Sequence, residues 1–110
     1  MDSDELSAET KTMIDDETEV YASAVTAWEV AIKQQLGRLT ADEDLASVIE
    51  GSDLQPLPIT LRHACVVSGL PLIHRDPFDR MLVAQARAER LTLLTRDRQL
   101  AAYGDNVRLV

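Results

Sequence analysis

Three carboxylates, Glu29, Asp79 and Asp97, fall at places where strands hand over to helices. Carboxylate and water oxygens suit Mg²⁺ or Mn²⁺, hard cations that keep several waters and bind phosphate oxygens. A cluster of that kind can activate water for attack on a phosphodiester. The richest stretch runs from His74 to Ala86. Asp76 stands where an N-cap belongs, and Pro77 takes the first helical position, where its missing N–H costs nothing. Asp79 is in the first turn, and the helix continues through apolar Phe78, Met81, Leu82 and Ala86. Plain capping also explains two carboxylates at a helix start, because the N-terminal dipole favours negative charge. A second strand-to-acid junction, Leu91 to Asp97, adds weight to the chemical reading.

Each acid has a purely structural alternative. Glu29 stands four residues before Lys33, the favourable order for a surface ion pair worth only about 0.3–0.5 kcal/mol. It also lies between Trp28 and Val30, close to an apolar stripe, which favours the site reading. Asp97 either caps a helix or ligates a cation. Asp76 is assigned to capping. His63 and His74 read as ordinary helix and loop histidines. Thr95 either orients a water or a neighbouring acid, or ends a strand. No His/Cys spacing suggests zinc, and Gly37, Gly51, Gly69 and Gly104 are too scattered for a phosphate-cradling loop.

The elements that must position these groups alternate along the chain. Ser7 to Asp16 reads as a helix with Met13 and Ile14 as weak anchors, and Glu19 to Ala22 as a short strand. Ser23 caps a helix carrying Val25, Trp28, Ile32 and Leu36, which stops at Gly37. Thr40 caps a helix from Ala41 to Glu50. Gln55 to Ile59 reads as an edge strand, since two prolines cannot serve a central ladder. Thr60 caps a helix to Ser68, which Gly69 and Pro71 break. A long helix over 77–90, a strand over 91–95, a short helix from Asp97 to Ala102 and a strand from Val107 to Val110 follow. This alternation predicts an α/β domain with a mostly parallel sheet. Sites in such sheets gather beyond the carboxyl ends of the strands, where the three acids fall.

A chain of 110 residues, 45% hydrophobic, reads as a single domain over 1–110 with a real core. The net charge of −8 argues against a broad nucleic-acid surface. The charge is uneven: residues 1–20 hold eight acids against Lys11, and the rest is nearly balanced. A local basic rim from Lys33, Arg38, Arg75, Arg80 and Arg96 stays open, as does a basic protein segment as partner. No apolar run reaches the about 18 residues of a membrane span, and the acidic N-terminus is unlike a signal peptide, so no membrane is expected. Cys65, the single cysteine, excludes an internal disulfide framework, suits a cytoplasmic location and reads as a buried, inert thiol.

The segments Tyr21 to Lys33, Leu57 to Thr60, His74 to Gln85 and Leu93 to Asp97 resemble the PIN-domain family, and more narrowly the VapC-type ribonuclease toxins of bacterial toxin–antitoxin pairs. The resemblance covers residues 5 to 110; the run from His74 to Arg80 is its most specific part, and the Thr95-to-Asp97 ending is weak alone. It implies a parallel sheet flanked by helices and Mg²⁺- or Mn²⁺-dependent cleavage of RNA. It also implies metal-binding and catalytic roles for Glu29, Asp79 and Asp97, with Thr95 as a helper, and a cognate antitoxin and a homodimer as partners, the dimer through the helices 7–16 and 41–50 or their neighbours.

The departure from the family is at the N-terminus. Family members open with a hydrophobic strand that ends in the first metal-binding Asp, and nothing before Ser7 is similar. The expected fold is therefore PIN-like with its N-terminal central strand missing. A start codon assigned too late, a strand supplied by another chain, and degeneration all explain this; the first is favoured. The strands 19–22 and 91–95 would close together, accept a neighbour's strand or leave a gap, with exchange ranked above closure. A metal-dependent endoribonuclease toxin is the leading function. The alternative is a catalytically impaired module that keeps antitoxin or dimer contacts. A phosphoacceptor receiver domain also gathers acids at strand ends, but it wants a lysine after a late strand, and the lysines here are Lys11 and Lys33.

Overall fold

Short apolar strands separated by capped helices build a five-stranded mixed sheet flanked by helices in the computed structural model, which describes residues 11–38 and 45–110. In chain order the elements are β1 (Thr12–Ile14), β2 (Val20–Ser23), α1 (Ala24–Gln35), α2 (Leu45–Glu50), β3 (Gln55–Leu57), α3 (Leu61–Ser68), α4 (Pro77–Glu89), β4 (Thr92–Thr95), α5 (Arg98–Ala101) and β5 (Val107–Leu109). The spatial order is β3-β2-β1-β4-β5. The outer pairs, β2 with β3 and β4 with β5, are parallel, and β1 runs antiparallel to both of its neighbours. The α/β class is the expected one, and β3, with its prolines, is an edge strand.

The centre of the sheet corrects one expectation. Among the described residues the central position is filled by Thr12–Ile14, a segment read from sequence as part of a helix over 7–16. Residues 7–10 of that helix lie outside the described residues. The reason for the difference is non-local. Strands β2 and β4 each present a row of N–H and C=O groups that must be paired when buried. Thr12–Ile14 satisfies both rows, with Thr12 opposite Ala22 and Leu94, and Ile14 opposite Val20 and Thr92. Met13 contributes a side chain only 1% exposed to the main core. Two ladders and a buried Met outweigh a weak helix preference. The chain thus uses its own residues where closure, exchange or a gap was expected.

The hairpin joining β1 to β2 is tied by Asp15, whose Oδ1 accepts the N–H groups of Glu17 and Glu19, each at 2.9 Å. Thr18 within it has φ 92°, a strained value for a β-branched residue. Helix α1 starts where Ser23 Oγ accepts the Val25 N–H at 2.9 Å. Its buried face is Val25, Thr26 and Val30. The expected stripe through Trp28 and Leu36 is rotated: both are exposed, and Trp28 meets the Phe78 ring edge-on at 4.8 Å. The described part of the helix expected over 41–50 is Leu45–Glu50. Cys65 is exposed, against the expectation of a buried thiol, because α3 turns His63 inward instead. Helix α4 buries Leu82, Val83, Ala84 and Ala86 in one core with Met13, Leu93 and Leu100. With that face locked into the core, the first turn of α4 is held rigidly beside the sheet.

Candidate active site

Strand direction decides which residues meet at one end of the sheet. Strand β2 ends at Ser23 and leads into α1, which carries Glu29; β4 ends at Thr95, two residues before Asp97. Because β1 is antiparallel to both, its N-terminal end lies at their carboxyl ends, so the residue arriving there is Lys11. The Lys11 carbonyl accepts a hydrogen bond from Thr26 Oγ1 at 3.4 Å, which fastens it to α1.

Helix α4 supplies the central acid. Asp76 caps it as expected, its Oδ1 accepting the N–H groups of Phe78 at 2.8 Å and Asp79 at 3.1 Å. Asp79 follows in the first turn and is buried. Its Oδ2 lies 3.7 Å from His74 Nε2. Its Oδ1 accepts no aligned hydrogen bond among the described residues; the Lys11 ammonium, 3.3 Å away, answers it as charge. Asp97 divides its oxygens: Oδ1 accepts the Gln99 N–H at 2.9 Å and so caps α5, while Oδ2 lies 3.1 Å from His74 Nε2. Thr95 is buried, and its Oγ1 accepts the Asp97 N–H at 3.0 Å, fixing the backbone that carries the acid.

His74, Asp79 and Asp97 each bring one ligand-type atom within 4.8 Å of the others. Glu29 joins them through the field. Burial holds its carboxyl above the ordinary value, the Lys33 and Lys11 charges oppose that, and the Asp79 and Asp76 charges add to it. Burial likewise lifts Asp79, with Lys11 pulling it down and Asp76 pushing it up. Lys33 Nζ lies 3.6 Å from Glu29 Oε2, the pair expected from their spacing. Crowded, desolvated carboxylates, each beside one lysine ammonium, form a cluster that favours positive charge.

The structure therefore brings Asp79 and Asp97 together through His74, sets Glu29 in the same field, and uses Thr95 as a local brace. Two members escaped the reading of the sequence. His74, taken for an ordinary loop histidine, stands between two acids. Lys11 was visible only as a lone cation in an acidic stretch. The nearest available signal for His74 was its place two residues before the cap Asp76.

The PIN domain family model matches residues 1–106. The chain belongs to the PIN domain family. No curated protein matches it. PIN domains are generally nucleases and typically bind divalent metals. The residues present fit such an ion: two carboxylates and an imidazole nitrogen lie within 4.8 Å of one another, and the buried Asp79 Oδ1 is answered by the Lys11 ammonium, so the spot is one that takes positive charge. Among the described residues, no helix is long and apolar enough to cross a membrane.

Proposed function

We propose that this PIN domain is a cytoplasmic Mg²⁺- or Mn²⁺-dependent endoribonuclease toxin of a type II toxin–antitoxin pair, held inactive by a cognate antitoxin. The observation that carries the reading is the group formed by Asp79, Asp97 and His74, whose ligand-type atoms lie within 4.8 Å of one another, with Glu29 coupled to it through the charge of Asp79. Asp79, Asp97 and Glu29 would hold the cation. Bound there, it supplies Lewis acidity toward a phosphate oxygen and a lowered pKa for water. The chain's own groups do the rest. Thr95 braces Asp97, and the His74 N–H restrains Oδ2 of that acid. Burial makes Glu29 and Asp79 reluctant anions, so they gain from a cation more than exposed carboxylates would. An antitoxin segment with a basic side chain suits the same pocket, and the acidic net charge favours a basic partner. A homodimer through α2 and its neighbours belongs to the same proposal.

Lys11 favours a second reading, a catalytically impaired module retaining antitoxin or dimer contacts. Its ammonium stands at the strand edge where the resemblance would place the first acid, so the pocket already holds one internal cation. The two readings separate in one experiment. RNA cleavage by the full chain is measured with Mn²⁺ and with EDTA, alongside Glu29→Gln and Asp79→Asn. Metal-dependent cleavage that falls on the order of 100-fold in either variant supports the nuclease. Calorimetric Mn²⁺ binding without cleavage supports the impaired module, and no binding at all removes the metal site.

A further inference from the structure

The His74 imidazole lies between two acids, and its own hydrogen bonds decide which nitrogen carries the proton. The Asp76 backbone N–H donates to His74 Nδ1 at 3.1 Å. A backbone amide can only donate, so Nδ1 offers a lone pair and the proton of the neutral ring sits on Nε2. That Nε2 lies 3.1 Å from Asp97 Oδ2 and 3.7 Å from Asp79 Oδ2. A nitrogen whose N–H is given to the Asp97 carboxylate has no lone pair for a cation. To ligate, Nε2 would have to pass its proton to Nδ1, and the Asp76 amide would then face another N–H and lose its partner.

The His74 backbone is also anchored from outside the cluster. The His74 backbone N–H donates to Tyr103 Oη at 3.0 Å. Tyr103 is buried; its hydroxyl donates to the Pro71 carbonyl at 3.0 Å and accepts from Arg80 Nη1 at 3.1 Å. Arg80 also donates to the Val67 carbonyl at 3.2 Å. The loop bearing His74 is thus set by the fold and does not depend on the acids for its place.

Resting on the metal-site reading above, we propose that His74 is a positioning residue: its Nε2–H holds Asp97 Oδ2 beside Asp79 and leaves the remaining carboxylate lone pairs of the two acids for one divalent cation, without itself ligating it. The consequence is selectivity. With His74 as a ligand the donor set would be one nitrogen and two carboxylates, which suits zinc and later transition metals; with His74 as a donor the set is all oxygen, which suits Mg²⁺ and Mn²⁺. Outer partners of this kind orient ligands, and losing one typically costs about 10–100-fold in metal affinity.

The test uses the full chain with Mn²⁺ alone, read by calorimetry and by electron paramagnetic resonance. His74→Gln keeps a neutral N–H near the position of Nε2 but offers no imidazole; His74→Ala keeps neither. Circular dichroism and urea melts confirm that both fold. We expect Mn²⁺ affinity to fall at least about tenfold in His74→Ala and to return within roughly threefold of the parent in His74→Gln. The parent spectrum should lack imidazole nitrogen coupling, and nitrogen NMR of the metal-free protein at neutral pH should find Nδ1 unprotonated. Nitrogen coupling that disappears in His74→Gln makes His74 a ligand and overturns the proposal, as does a ring protonated at Nδ1. Unchanged affinity in His74→Ala overturns the positioning role while leaving the metal site standing. A parent that binds no Mn²⁺ takes down the metal-site reading itself, and this role with it.

Discussion

Replacing Lys11 by Met removes the ammonium from the acid pocket and keeps most of the stem's packing. At 3.3 Å from Asp79 Oδ1, an effective dielectric of about 20 gives roughly 5 kcal/mol of attraction. Desolvating the ammonium takes several kcal/mol back, so the net is smaller. Breaking a well-buried pair by removing one partner costs about 3–5 kcal/mol. Here the side chains are 18% and 9% exposed, so we expect a loss of about 2–3 kcal/mol from a total on the order of 5–15 kcal/mol. Urea melts in EDTA at low salt measure it. Mn²⁺ should then rescue the variant more than the parent, since no ammonium competes for Asp79. Saturation at a hundred times Kd is worth about 2.7 kcal/mol. The parent, whose cation must move aside, should gain less at the same concentration. A variant that loses less than about 0.5 kcal/mol in EDTA and gains no more from Mn²⁺ than the parent would refute the placement of Lys11 in the pocket.

The other predictions concern charge, packing and the sheet centre. Glu29 and Asp79 both have folded-state carboxyl values raised, chiefly by burial. Their contribution to stability is therefore full below the ordinary carboxylate value and is lost as pH rises through the raised one. Glu29→Gln should flatten that part of the metal-free pH–stability curve and stabilise the apo protein near neutrality while weakening Mn²⁺ binding; a variant less stable than the parent in EDTA at pH 7 would count against this. Gln85 is fully buried; its Oε1 accepts the Ser23 hydroxyl and its Nε2 donates to the Pro58 carbonyl at 3.3 Å. Gln85→Ala should cost about 2–4 kcal/mol through a cavity and stranded polar groups, read as a lower urea midpoint. A hydrophobic strand ending in Asp, added before Met1, should compete with β1 for the central position and raise metal-dependent RNA cleavage; equal cleavage by the 110-residue chain would show that such a strand adds nothing.

What could be seen in the sequence was local. Asp76 as a cap, Pro77 behind it and Asp79 in the first turn follow from helix-start chemistry, and all three stand as read. Asp97 beyond strand β4 needed only the apolar run ending at Thr95. Capping and site chemistry looked like rivals there, yet capping takes only Oδ1 of Asp97 and leaves Oδ2 beside His74. Trp28 and Cys65 went astray because helical spacing finds a stripe but not the rotation of the helix toward the core. His74 escaped because its place depends on Tyr103, 29 residues away.

The sheet centre could not be found locally at all. Nothing in Thr12-Met13-Ile14 outweighs a helix reading until β2 and β4 present open ladders on either side. The direction of that one strand also sets the sign of the charge in the pocket. A parallel strand delivers the residue that follows it to the carboxyl edge, whereas an antiparallel strand delivers the residue that precedes it. For Thr12–Ile14 the following residue is Asp15, and it spends both carboxylate oxygens on its own hairpin, holding Glu17, Glu19 and Tyr21. The preceding residue is Lys11, and it lies against Asp79. Reversing the strand would therefore exchange an ammonium for a carboxylate beside Asp79 and Glu29, turning a pocket partly neutralised from within into one that needs a divalent cation. On the proposed metal-site reading, the direction of β1 therefore sets whether a cation arriving beside Asp79 meets an ammonium or a carboxylate.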